Sequence, residues 1–177
     1  MVDWNQVTQR LRRIAQFDTT VFAEIEQDQE ANAEAAVVVI ISSLLAALAA
    51  GIRAPGFFSL GAFFGRFVMG VLLYWLLWSL VTMFIGTTLF AGQADFWEMA
   101  RTLGYANAPA ALEILSILPC LGWLIGIATL ALSLVIGFFA VRETLDLPTE
   151  KALITVLIGW AVVFVAYLIL GLGSLGF

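Results

Sequence analysis

Uncharged apolar runs broken by short polar stretches set the pattern of this chain. The first run, Ala35 to Ile52, is 18 residues long. At helical rise it covers roughly 27 Å, about the thickness of a bilayer's hydrocarbon core. Four more runs follow, and together they predict membrane spans over 35–52, 67–92, 99–118, 122–141 and 152–172. Arg53, Pro55 and Gly56 end the first. Phe57 to Phe64 reads as an aromatic interfacial re-entry, and Arg66 opens the second. Gln93, Asp95 and Glu98 return the chain to water, with Trp97 and Tyr105 as interface anchors. The loop Arg142–Lys151 precedes the last span.

Residues 1–34 carry no such run. Asp3 is an N-cap with Gln6 three residues on, so a helix is expected over 3–17. Trp4, Val7, Leu11 and Ile14 form its apolar stripe beside Arg10, Arg12 and Arg13. Such a helix either lies in the membrane interface or packs on the protein's own inner face. The acidic residues of 18–34 (Asp18, Glu24, Glu26, Asp28, Glu30, Glu34) read as a solvated face. The expected organisation is an all-α, polytopic membrane protein: an N-terminal amphipathic and acidic segment, 1–34, then a five-helix domain, 35–177.

Composition sharpens this class. The chain of 177 residues is 62% hydrophobic and 12% charged, against about 25% charged in soluble domains. Its net charge is −5. Three Arg against seven Asp and Glu place −4 of it in residues 1–34, and an acidic chain is no partner for nucleic acid. There is no His and one Cys, Cys120. The commonest general base and haem ligand is thus missing, as is any internal disulfide or iron–sulfur site. No cofactor, metal site or catalytic group is expected, and the chain reads as non-enzymatic. Cys120, in a short turn, reads as a packing residue. The polar N-terminus carries no cleavable signal peptide pattern.

Basic residues set the orientation. With the N-terminus cytoplasmic, Arg10, Arg12, Arg13, Arg101, Arg142 and Lys151 lie inside, and Arg53 and Arg66 outside. Six against two places the N-terminus inside and the C-terminus outside, in the cell membrane.

The third span, Met99–Pro119, is the least clean. Glu113 is an ionisable residue within a span, which lipid penalises. Arg66 sits at comparable depth in the second span, so a Glu113–Arg66 pair is expected to join the two; a proton or ion relay is the rival. Pro109 removes a backbone donor and predicts a kink near Tyr105. Asn107 could satisfy the freed carbonyls or bond across helices, and Gly104 and Tyr105 belong to the same packing region. Gly61/Gly65 and Gly122/Gly126 have GxxxG spacing, which permits close helix contact but also arises by chance in Gly-rich spans. Gly171–Gly176 matches GxGxxG. Without a preceding strand and a following helix it is no dinucleotide fingerprint.

The order of features resembles the Yip family, named for Ypt/Rab-GTPase-interacting proteins, in its bacterial and archaeal form. The likeness starts at RIAQFDTTVFAEIEQD, Arg13–Asp28. It continues through LFAGQADFWEMARTLGYANAP with Gly92, Phe96, Gly104, Tyr105 and Pro109. It ends in LPTEKALITVLIGW with Leu147, Lys151 and Ala152. This resemblance implies a role in membrane organisation or trafficking through protein contacts rather than catalysis. The chain lacks the longer N-terminal domain and the Asp-Leu-Tyr-Gly-Pro motif of the eukaryotic branch, so Rab binding is not implied. Expected partners are the lipid bilayer and other membrane proteins, in homo- or hetero-oligomers. Three functions stay open: a scaffold for membrane components, a structural accessory subunit of a respiratory or photosynthetic complex, and a small transporter or channel using Glu113.

Overall fold

In the computed structural model of the chain, residues 2–55, 58–118 and 120–174 are described, with side chains through 170. Every regular element among them is helical. α1 covers Trp4–Ala15, α2 Thr20–Gln27 and α3 Ala31–Arg53. α4, Leu60–Val71, runs through a π-helical segment, Leu72–Leu77, into α5, Trp78–Phe90. α6 is Phe96–Ala106, followed by a 3-10 helix over Ala108–Ile117. α7, Gly122–Thr144, and α8, Thr149–Ser174, complete the set.

Four of these stretches are long and apolar enough to cross a membrane: Ala31–Arg53, Leu60–Phe90, Gly122–Thr144 and Thr149–Leu170. The stretch read as the third of five spans is not one continuous helix. α6 stops at Ala106 and the chain resumes as a tighter 3-10 helix at Ala108. The cause is local. Pro109 has no N–H for the Tyr105 carbonyl, and its ring crowds that carbonyl.

α6 is the centre of the bundle. Every residue from Met99 to Asn107 is buried, and α3, α5 and α7 pack around it. Its start is fixed by a capping box: Asp95 accepts from the Glu98 amide at 2.8 Å, and Glu98 accepts from the Asp95 amide at 2.8 Å. Close approach at Gly104 seats α3, because a Cβ there would lie 2.8 Å from the Ala35 Cβ. The π-helical turn aims Trp75 inward, where its Nε1 donates to the Ala100 carbonyl of α6 at 2.7 Å. Neither GxxxG pair works as a unit in this way. A Cβ on Gly65 or Gly126 would meet nothing within 4 Å, while one on Gly122 would lie 3.2 Å from the Ser116 carbonyl oxygen.

α1 and α2 dock on the bundle. Val21, Phe22 and Ile25 of α2 are fully buried, as are Val7 and Ile14 of α1. The apolar stripe of α1 therefore divides: Val7 and Ile14 enter the protein's own core, Leu11 is half-buried, and Trp4 is exposed. Asp3 caps this helix, accepting from the Asn5 amide at 2.9 Å. The Gln6 side chain does not close a box; its Nε2 donates to Asp28. Cys120 is exposed, in a left-handed turn with φ 67°, and is not packed. Within the GxGxxG match, α8 runs to Ser174; residues 175–177 lie outside the described residues, as do Pro119, Gly56 and the first residue of the aromatic re-entry, Phe57.

Candidate functional site

Two ionic clusters tie the bundle together, one at each end. At the end far from α1, Arg66 on α4 meets Glu113 on the 3-10 helix. Nη2 donates to Oε1 at 2.6 Å and Nε donates to Oε2 at 3.2 Å. Paired donors of this kind suit the planar guanidinium. The Tyr74 ring lies 5.2 Å from the Arg66 Cζ, a cation–π contact. The 3-10 geometry contributes, since it replaces the α-helical turn that would otherwise set the direction of Glu113. Nearby, Arg53 Nη1 donates to Ser116 Oγ at 3.3 Å.

A cavity of ≈ 220 Å³ opens beside this pair. Arg66, Glu113 and Asn107 form one wall, and Thr129, Leu130 and Trp160 belong to the others. Asn107 is buried and its Nδ2 donates to Ser42 Oγ on α3 at 3.4 Å. Two further lining groups, Trp78 Nε1 and Thr129 Oγ1, are buried with no hydrogen-bond partner among the described residues. Each such group costs about 1–3 kcal/mol of lost solvation. A third unpartnered group among the described residues, the Ser43 hydroxyl, lies outside this lining, against Gly70.

The second cluster lies under α1 and α2. Arg10 is buried, and its two terminal nitrogens donate to Glu34 at 2.7 Å and to Asp28 at 2.6 Å. The Tyr105 hydroxyl donates to the same Glu34 oxygen at 2.5 Å. Burial pushes the Asp28 carboxyl up, but the Arg10 guanidinium and the Glu30 amide outweigh it and hold it below the usual range. Arg101 donates through Nε to the Glu26 carbonyl at 2.8 Å and through Nη1 to Asn32 at 3.3 Å. Arg13 pairs with Asp18 and Glu24. Glu34 and Asp28 are thus partners of Arg10, which corrects their reading as a solvated face. The signal was present in the spacing. Arg10 lies three residues after Val7 and four before Ile14, inside the apolar stripe and not beside it. A buried cation there requires buried acid.

Among the candidate residues the structure joins Arg66 to Glu113, places Asn107 on the same cavity and sets Tyr105 and Gly104 in the bundle centre. It does not bring Trp4, Val7, Leu11 and Ile14 onto one exposed face. Among the described residues no group of three or more His, Cys, Asp or Glu is placed to hold a metal.

The Yip1 domain matches residues 18–171, from the turn before α2 into α8. No curated protein and no solved structure matches significantly. The conserved-domain match takes in both clusters except for Arg10 and Arg13 of α1. The order of α2, the apolar helices and the buried α6 therefore has a family context: this chain belongs to the Yip1-domain family.

Proposed function

We propose that this Yip1-domain protein is a non-enzymatic, multi-pass protein of the cell membrane that organises or scaffolds other membrane components. The observation that carries this reading is the use made of its internal charges. Arg66–Glu113 clamps α4 to the 3-10 helix, and Arg10–Glu34–Tyr105 clamps α1, α3 and α6. Charges arranged in this way hold helices in register. A relay needs a chain of exchangeable groups, and here Glu34 and Glu113 are each engaged by an arginine.

The two clusters also support the orientation. Arg10 and Arg101 share one end of the bundle through α2, while Arg53 and Arg66 share the other through the 3-10 helix. The side richer in Lys and Arg is the cytoplasmic one, which puts α1 and α2 in the cytoplasm and the end of α8 outside. The cytoplasmic face is then a folded platform of α1, α2 and the α7–α8 turn, suited to protein contacts.

A small transporter or channel is the second reading, favoured by one observation: Glu113 and Asn107 line the same cavity. Purifying the full chain in mild detergent, with Glu113→Gln beside the wild type, separates the readings. A scaffold co-purifies with membrane proteins in fixed stoichiometry, and the variant weakens that assembly. A transporter, reconstituted alone, carries a flux that the variant abolishes. A structural subunit of a larger complex would return with that complex's other chains.

A further inference from the structure

The turn between α1 and α2 closes the first helix with a residue that the backbone does not favour. The Asp18 amide donates to the Arg13 carbonyl at 3.0 Å, and the Phe17 amide to that of Ile14 at 2.9 Å. This is the hydrogen-bond pattern of a Schellman cap, whose left-handed position glycine usually fills. Here Phe17 fills it, with φ 58°, a conformation that bulky side chains rarely adopt. The backbone gains nothing from phenylalanine at this point. Nor does the core, because Phe17 is 53% exposed. What covers the ring lies outside the chain.

Depth identifies the cover. Ile14, Phe17 and Phe22 line one cleft with Ile136 and Phe139 of α7. The uncharged part of α7, Gly122 to Val141, is 20 residues long and ends at Arg142. One bilayer crossing needs about 20 such residues. A membrane edge at Ile136 would leave only the 14 residues 122–135 of α7 inside, too few to cross. Ile136 and Phe139 therefore lie within the apolar layer, about 9 Å and about 5 Å along the helix from Arg142. The turn that shares their cleft is at the same level.

Its polar groups are engaged within the turn. Asp18 accepts from Arg13 at 2.7 Å through one oxygen and from the Thr20 hydroxyl at 2.6 Å through the other. Arg13 also meets Glu24 at 2.6 Å. Irregular backbone is tolerated at membrane depth only when such groups are satisfied. Leu11 and Ala15, one helical turn apart on α1, are half-buried and exposed and lead into Phe17.

We propose that the α1–α2 turn is a lipid-inserted corner, with the Phe17 ring among the acyl chains of the leaflet nearest α1. That leaflet is the cytoplasmic one in the orientation proposed above. The occupant is lipid and not a partner's helix, because bilayer surrounds the chain at this depth whether or not a partner is bound. The corner thus ties the N-terminal helices to the membrane itself, independently of any scaffolding role.

The test uses the full chain with Cys120→Ser, which removes its one cysteine. Single cysteines are then placed by Phe17→Cys, at the corner, and by Gln29→Cys, exposed at the opposite end of α2. Each protein is labelled with bimane and reconstituted alone in phosphatidylcholine nanodiscs. Lipid carrying a doxyl group at acyl carbon 5 should quench the label at position 17 at least threefold more than that at position 29. Aqueous iodide should show the reverse order. A third label, placed by Gln16→Cys, reads the corner with Phe17 kept. Adding Phe17→Gly, which suits the left-handed position, should at least halve the lipid quenching of that label. The same change should leave the unfolding midpoint in detergent unchanged or higher. Equal lipid quenching at positions 17 and 29, stronger iodide quenching at 17, or no effect of Phe17→Gly on the third label overturns the proposal.

Discussion

Tyr105 and Glu34 lie 71 residues apart in the chain, yet the phenol donates to the carboxylate at 2.5 Å in the buried centre of the molecule. Arg10 completes the group from α1. One carboxylate at the start of the first long helix thereby fixes both the N-terminal helix and the central helix.

Removing a partner from this group is expected to be costly. Arg10→Met leaves Glu34 and Asp28 facing each other without their cation, and breaking a buried ion pair in this way costs about 3–5 kcal/mol. Tyr105→Phe removes one hydrogen bond to a charged group, about 1.5–3 kcal/mol. Unfolding of the detergent-solubilised protein measures both. Equal stability of Arg10→Met and wild type would show that α1 is not held by its arginine.

Glu113 and Arg66 form the corresponding clamp at the opposite end, with both side chains partly exposed. Glu113→Ala should destabilise by about 2 kcal/mol through loss of charge-assisted hydrogen bonds. The exchanged pair, Arg66→Glu with Glu113→Arg, should recover part of that loss. A double-mutant cycle checks it, and a coupling near zero contradicts the clamp.

Glu26 gives stability a pH dependence. Burial, with the charges of Glu98, Asp146 and Glu143 adding and Arg101 opposing, pushes its carboxyl up to about 7. In the unfolded chain the value is about 4.3. Between these values the folded protein holds the proton and the unfolded chain does not, so stability falls as pH rises through that window and levels off above it. Glu26→Gln should remove much of this decline. The measurement is the unfolding midpoint from pH 4 to pH 8 for both proteins, and an identical slope in the two would exclude Glu26 as its source.

Glycines divide by what surrounds them. Gly104→Val forces α6 away from Ala35 and Trp75, an overpacking cost of about 1–3 kcal/mol. Gly65→Ala meets nothing within 4 Å and should be neutral or stabilising by about 0.5–1 kcal/mol, as for Gly to Ala within a helix. Comparative unfolding of the two variants decides it. The reverse order would restore the GxxxG reading.

The long apolar runs made four of the helices readable directly, because bilayer thickness and helical rise leave few alternatives for 18 or more uncharged residues. The change of helix type at Asn107 follows from Pro109, whose effect on the preceding turn is local. Depth alone matches Arg66 to Glu113 in the sequence, since lipid leaves an internal charge few partners. The second cluster was hidden. Glu34 and Asp28 stand among exposed acids, and nothing local distinguishes them from Glu24 or Glu30. Only the position of Arg10 within the apolar stripe of α1 points to them. The cavity has no local signature either, since its lining residues, Arg66, Asn107, Thr129 and Trp160 among them, come from different helices.

Mild-detergent purification of the full chain from its own membranes, with the co-purifying proteins quantified, bears most directly on the scaffolding role. The expected result is one or more membrane proteins retained in fixed stoichiometry and diminished by Glu113→Ala. The contradicting result is a chain that purifies alone and, reconstituted into vesicles, carries a solute flux abolished by Glu113→Gln.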